Sequence, residues 1–270
     1  MTHDCNPREF LAIQLARTLR DGEVGFTGLS TGPRAALYGT GIPLAAMGLA
    51  QRMHAPDFTI LLCGWVINPR LDALEFLPEL EFSDLMTDLP SEGHITGYPN
   101  AIAYKRGIVD VGFSTGAQVD RFGNLNSVRI GVDGPPDVRL VGPILQPEHF
   151  AVFGREVIAM PTHSPRTFVE SVDYRSGVGH RVDGMSRADL GLTTTGPARV
   201  LSPLGLFGFD DGGSMQVSAL APGVDVDEVT AQTGFAVMPA AESPAPPTAE
   251  ELQLLREAVD PHGVLLAAAS

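Results

Sequence analysis

The chain has 270 residues, enough for one large α/β domain or two small ones. Its 44% hydrophobic and 19% charged residues exclude a globally disordered chain. The formal net charge of −14, from 32 acidic against 18 basic residues, argues against an electrostatic nucleic-acid binder and against a polybasic membrane-surface binder.

The only lysine, Lys105, sits in Y-K-R-G and not in a G-x-x-x-x-G-K-[ST] loop, which excludes a P-loop nucleotidase. It is expected to be a solvated surface charge. Two cysteines, Cys5 and Cys63, are too few for a disulfide framework or a zinc cluster of the usual spacing. The seven histidines show no H-x-x-x-H or H-E-x-x-H pairing, so no metal site is expected. The opening M-T-H-D-C-N-P-R-E-F lacks a charged-then-apolar secretory layout, and a cytoplasmic location is expected. The longest uncharged stretch, 35–51, is too short and too broken by Gly39, Gly41 and Pro43 to span a bilayer.

In chain order, Asn6, Pro7 and Glu9 predict a capped first helix, with Phe10, Leu11, Leu15 and Leu19 at helical spacing before Asp21-Gly22 ends it. A short strand follows at 24–26, then a loop over 28–38. Gly39-Thr40-Gly41-Ile42-Pro43 is expected to lead into an apolar helix over about 44–54, where its amides would offer donors to an anion. This pattern lacks the full G-x-G-x-x-G spacing and is weak as a dinucleotide signal. After the turn Ala55-Pro56-Asp57 comes a compact apolar strand, 58–62, ending at Cys63-Gly64. That puts Cys63 at the carboxyl end of a buried strand, where open α/β folds build their sites. It is read either as a core cysteine or as a site residue.

Further strands are expected at 108–113, 157–160, 200–206 and 215–220, and a helix at 226–232. Asp120-Arg121-Phe122-Gly123-Asn124 is a turn between two runs, and Gln118 and Asn126 beside it serve either loop backbone or a site. The connector 242–247 precedes a last helix capped by Thr248 and Glu251 and running to about 258. Helices alternate with strands early and strands cluster late. The order predicts an α/β fold, an open sheet with an added β-rich part, in one compact unit over 1–270.

The stretch G-A-Q-V-D-R-F-G-N-L-N-S (116–127) resembles the signature of the B (β) chains of heteromeric family I CoA-transferases, such as glutaconate and 3-oxoadipate CoA-transferase. G-T-G-I-P-L (39–44), H-A-P-D-F-T-I-L-L (54–62), R-T-F-V-E-S-V-D-Y (166–174), A-P-G-V (221–224), T-G-F (233–235) and P-T-A-E-E-L-Q-L-L-R (247–256) follow in the family's order. The resemblance spans about residues 8 to 263. It implies the NagB/RpiA/CoA-transferase-like fold, with helices on both faces of the sheet. It also implies an α-type (A) partner in a heterodimer or heterotetramer, a shared active site, and an acyl-CoA substrate with coenzyme A as part of that substrate rather than a separate cofactor. By the same resemblance Gly39, Thr40, Gly41, Gly64, Gln118, Asn124, Gly142 and Ile144 are candidate substrate-binding positions.

Two departures from the family pattern stand out. The transferases carry a glutamate at the end of the strand after A-P-D, which attacks the acyl-CoA and holds CoA as a glutamyl thioester. Here that place is Cys63. The family's glycine-rich loop corresponds to G-P-I-L-Q-P (142–147), where Pro143 and Pro147 have no N–H, leaving the amide of Ile144 as the candidate donor. Relatives without the glutamate resemble a 3-methylglutaconyl-CoA decarboxylase, which has cysteine at this place, or a ring-opening hydrolase of a steroid-derived CoA thioester. The cysteine favours decarboxylation. A true transferase using another carboxylate, such as Glu92 or one on the partner, and a non-catalytic stabilising subunit are the alternatives.

Overall fold

A computed structural model describes residues 5–81, 83–95, 107–238 and 244–267 of the chain. Lys105 and His3 lie outside these residues, as do Glu242 and Ser243 of the connector. Contacts divide the chain into two compact units, Met1–Phe113 with Pro244–Ser270, and Ser114–Ser243.

The first unit opens with α1 (Pro7–Ala16), capped as the sequence predicts. The Asn6 side chain accepts from the amides of Arg8 and Glu9 at 2.9 and 3.1 Å, and the Glu9 carboxylate accepts from the Asn6 amide at 2.9 Å. Such a cap stabilises a helix by about 1 kcal/mol. Strands β1 (Val24–Thr27), β2 (Thr59–Leu62), β3 (Val66–Pro69), β4 (Ser91–His94) and β5 (Val111–Thr115) follow. They lie in the order β5-β1-β2-β3-β4. β1 is parallel to both β2 and β5, whereas β2–β3 and β3–β4 are antiparallel. The parallel strands need crossovers, and the chain supplies a helical one between β1 and β2.

That crossover departs from the sequence expectation. The helix begins not near Leu44 but at Pro33, as α2 (Pro33–Ala36), and runs through a π-helical turn (Leu37–Gly41) into α3 (Ile42–Met53). Gly32 at φ 87° sets the start, and Pro33 occupies the first helical turn. Gly39 and Gly41 are poor helix formers, but both are buried in the run. A Cβ on Gly41 would lie 2.0 Å from the Leu265 carbonyl oxygen, so only glycine lets the C-terminal segment pack there.

Leu11, Ile13 and Leu15 of α1 and Ile42, Leu44, Met47 and Leu49 of α3 are buried against each other and the sheet. Each contributes roughly 1.5–3 kcal/mol of transfer free energy. The C-terminal helix (Ala249–Leu254), capped by Thr248 and Glu251 as predicted, continues as a π-turn over Leu255–Val259. Arg17–Glu251 at 2.7 Å and Arg256–Glu9 at 2.6 Å tie it to α1.

The second unit holds β6 (Gln118–Val119) and β7 (Leu125–Asn126), paired around the predicted Asp120–Asn124 turn. A second small pair is β8 (Arg129–Ile130) with β9 (Val138–Arg139). β10 (Arg155–Ala159) precedes a third, β11 (Arg181–Val182) with β12 (Met185–Ser186). β13 (Pro197–Ser202), β14 (Gly205–Phe209) and β15 (Met215–Leu220) complete the set. β10 and β13 are parallel, and β13–β14–β15 is an antiparallel meander. The expected strand over 200–206 is therefore two strands. Pro203 and Leu204 form the turn between them, because proline cannot donate to a sheet ladder. Phe150, Ile158, Phe168, Val200 and Phe207 form the core of this unit. The helix Val226–Gln232 has the predicted bounds.

Candidate functional site

Within the first unit, Cys63 sits at the carboxyl end of β2, in the turn that joins it to β3. Cys63 has φ 54° and Gly64 φ 74°, and the Trp65 amide donates to the Leu62 carbonyl at 3.2 Å. Two consecutive positive φ values are what a tight turn between twisted antiparallel strands requires. Gly64 adopts this freely, but for the cysteine it costs about 1–2 kcal/mol.

The thiol is buried, with 2% of the residue exposed. The Cys63 amide donates to the Thr27 carbonyl at 2.8 Å. Burial, and secondarily the negative charge of Glu81, push the thiol well above its ordinary range. Cys63 is therefore a neutral thiol near pH 7, a weak hydrogen-bond donor rather than a thiolate.

The segment Thr27–Ser30, against which Cys63 leans, is held by residues the sequence singled out. Thr27 Oγ1 donates to the Gly39 carbonyl at 2.8 Å, Thr40 Oγ1 donates to the Gly28 carbonyl at 3.0 Å, and the Ser30 amide donates to Thr40 Oγ1 at 3.1 Å. Gly39 and Thr40 thus reach the surroundings of Cys63, but as a brace under the loop. The expected amide donors at a helix N-terminus do not arise at 39–43, because these residues lie inside the helical run and that helix starts at Pro33. Gly41 faces Leu265 instead.

Beside this loop lies a cavity of about 490 Å³, lined by Ser30, Leu37, Phe76, Glu79 and Leu265 among others. Its neighbour in the chain, Glu81, is half-buried, and one of its carboxyl oxygens lies 3.7 Å from where a Cβ on Gly28 would stand. Burial raises the Glu81 carboxyl above its ordinary value. No motif marked Glu81 in the sequence. Glu92, the carboxylate the sequence offered, lies on β4 opposite the far part of β3, where it accepts from Asn68 Nδ2 at 2.7 Å. The register sets His94 opposite Val66 next to the turn and carries Glu92 away from it.

The remaining candidates belong to the second unit. Gln118 Oε1 accepts from Asn126 Nδ2 at 2.8 Å and from the Asp173 amide at 3.0 Å. Asn124 Nδ2 donates to Asp120 Oδ2 at 2.8 Å and to the Arg181 carbonyl at 2.9 Å, while its Oδ1 accepts from the Gly179 amide at 2.9 Å. Both side chains are buried, and these atoms bond their own hairpin and the loops packed on it. The Gly142 amide donates to the Ser127 carbonyl at 3.0 Å. Ile144, 76% exposed, has φ 31°, and Leu145 after it has φ 66°. Two bulky residues in this region of backbone space make a strained loop. Among the described residues no group of three His, Cys, Asp or Glu side chains is placed to hold a metal ion. No helix among them is long and apolar enough to cross a membrane.

No family model matches the chain. It is 32% identical to the B chain of the 3-oxoadipate CoA-transferase of Pseudomonas knackmussii over 252 residues, 92% of this chain and 91% of that one. It is 33% identical over 217 residues to IpdB of the cholesterol ring-cleaving hydrolase of Mycobacterium tuberculosis, covering 72% and 83% of the two chains. Among solved structures, the decarboxylase AibA/AibB superposes with a TM-score of 0.76 at 26% identity over 97% of this chain and 98% of that one. The α/β fold with its mixed open sheet is therefore shared with these proteins.

Proposed function

Since the chain belongs to the B (β) chains of the family I CoA-transferases, we propose that it works with an α-type partner on a carboxylated acyl-CoA by chemistry other than CoA transfer. Decarboxylation of a glutaconyl-CoA-like substrate is the reaction we favour. The observation that carries this reading is a buried, neutral thiol at the end of β2, where a transferase would present a carboxylate. CoA transfer needs a carboxylate that forms an acyl anhydride and then a glutamyl thioester, and a thiol forms neither. A protonated thiol is also a poor nucleophile. Its useful properties are its size, its low polarity and its weak donor, which suit a pocket that holds an acyl-CoA without exchanging its CoA.

The similarity to AibA/AibB supports decarboxylation, and solved variants of that decarboxylase replace one of its cysteines by Ala, Ser, Asn or Val. The similarity to IpdB supports a second reading, thioester or ring hydrolysis at the same pocket. Heteromeric relatives make an α-type (A) chain the expected partner, in a heterodimer or heterotetramer.

The test is the heterodimer purified with its α-type partner and incubated with 3-methylglutaconyl-CoA. Carbon dioxide release that falls at least about tenfold in Cys63→Ala supports the reading. Release of free CoA without carbon dioxide replaces it by hydrolysis. A borohydride-trapped glutamyl adduct would restore transfer and sink it.

A further inference from the structure

A second cavity, of about 400 Å³, opens in the first unit at the end of β3 away from Cys63. β3 carries Val66 beside the Cys63–Gly64 turn and Pro69 on the cavity, three residue steps or about 10 Å further along. The floor is apolar and tight. A Cβ on Gly48 of α3 would stand 2.7 Å from Leu71 Cδ1 and 3.0 Å from Val259 Cγ1, so glycine lets these two side chains close the bottom. One wall is a fixed run of hydrogen bonds. Gln51 Nε2 donates to Asn68 Oδ1 at 3.1 Å, and Asn68 Nδ2 donates to Glu92 Oε2 at 2.7 Å. The Ile60 amide donates to the same Asn68 Oδ1 at 2.7 Å. Four charged side chains line the cavity among the described residues, and two of them cancel. Arg70 Nε and Nη2 donate to the two carboxyl oxygens of Asp72 at 2.9 and 2.7 Å. Glu92 receives the neutral amide of Asn68, and among the described residues no cation pairs with it. Arg52, in the last turn of α3, makes no hydrogen bond or ion pair among the described residues. The cavity thus presents one uncompensated cation and one uncompensated carboxylate above an apolar floor.

We propose that this cavity binds a free aliphatic α-amino acid, its carboxylate on Arg52, its ammonium on Glu92 and its side chain on the floor of Leu71 and Val259. Each part of such a ligand meets its own group. A guanidinium takes a carboxylate through two parallel N–H bonds, and a carboxylate takes an ammonium by a charge-assisted bond. An apolar floor rewards each methylene that leaves water. A ligand of one charge sign engages one of the two groups and is repelled by the other. Gln51 and Asn68 hold Glu92 in place before the ligand arrives, which lowers the ordering cost of binding. The site lies at the opposite end of β3 from Cys63 and does not depend on which reaction occurs there.

The experiment is calorimetric titration of the whole heterodimer with L-leucine. Three fragments of that ligand are titrated beside it: isocaproate, which lacks the ammonium, isoamylamine, which lacks the carboxylate, and glycine, which lacks the side chain. L-leucine is expected to bind once per copy of this chain with a Kd below about 1 mM, and each fragment at least about tenfold more weakly. Arg52→Gln and Glu92→Gln, each first shown to melt like the unsubstituted protein, should weaken L-leucine by at least about tenfold. Glutamine at 92 can still accept the Asn68 bond, so a loss there isolates the charge. No binding of L-leucine at about 10 mM overturns the proposal. Binding that isocaproate, isoamylamine or glycine matches overturns the assignment of an amino acid. Binding that survives both substitutions places the ligand elsewhere and overturns the site.

Discussion

His149 Nδ1 lies 3.9 Å from Glu156 Oε1, and the two side chains are 7% and 1% exposed, yet they are not an ion pair near neutral pH. Burial pushes the Glu156 carboxyl up to about 8, although the Ser114 hydroxyl and the Arg187 charge pull the other way. Burial also drives the His149 imidazole down to about 3. The carboxyl is protonated and the imidazole neutral, and the ring stacks on Phe153 with centroids 4.4 Å apart. A low dielectric penalises both charged forms by more than a pair at this separation returns.

The consequence is a pH dependence of stability with a definite sign. In the unfolded chain Glu156 ionises near its ordinary 4.5, whereas in the folded chain it holds its proton to about 8. Below the lower value both states are protonated and folding loses nothing. As pH rises between the two, the unfolded state alone gains by ionising, so stability falls until the folded value is passed. Glu156→Gln keeps the shape and removes the titration. Denaturant melts at about pH 5 and about pH 8 should show the glutamine variant gaining on the unsubstituted protein by an amount on the order of a few kcal/mol at the higher pH. Equal differences at both pH values would contradict this account.

Thr40 braces the loop beside Cys63 through its hydroxyl, which bonds the Gly28 carbonyl and the Ser30 amide. Valine has the same shape without the hydroxyl. Thr40→Val is expected to destabilise the chain by about 1–3 kcal/mol, because two partners in a buried region lose their bond. It should also lower turnover of the heterodimer, and Thr40→Ser should restore both properties. A variant that melts lower but turns over normally would separate the brace from the site.

Gly41 leaves no room for a methyl group against the Leu265 carbonyl at 2.0 Å. Both are backbone-fixed, so the strain of Gly41→Ala cannot be relieved by a rotamer change. Overpacking of this kind costs about 1–3 kcal/mol. The cheaper relaxation is displacement of the C-terminal segment, and Leu265 is part of the cavity wall. Limited proteolysis should then release residues near 262–267 faster in the alanine variant than in the unsubstituted chain. Unchanged proteolysis with a lowered melting temperature would show that the helix itself gives way, and an unchanged melting temperature would contradict the clash.

The caps were legible because capping is a rule of three or four residues. Asn6 with Glu9 and Thr248 with Glu251 form both bonds of their capping boxes, and Asp120–Asn124 turns as its composition demands. Cys63 at the end of β2 followed from an apolar run closed by a Cys-Gly pair. The misplaced helix start has the opposite cause. Gly39 and Gly41 argue locally against helix, and burial of the whole run against α1 and Leu265 outweighs that preference. The single strand expected at 200–206 divides because Pro203 and Leu204 turn the chain back on itself, a choice made by the pairing of Ser202 with Gly205.

The amino-acid sequence by itself determined the α/β class, the family and the presence of a thiol after the apolar run of β2, since each is written in residue types at fixed local spacing. Its acidic, lysine-poor composition excluded whole classes of partner but said nothing of the chemistry. Only the tertiary structure decided that the thiol is neutral and strained at φ 54°, that Thr40 is a brace, and that Glu81 rather than Glu92 is the carboxylate whose charge acts on Cys63. Protonation state depends on burial and on charges brought close through space, and a chain of residues has neither until it folds.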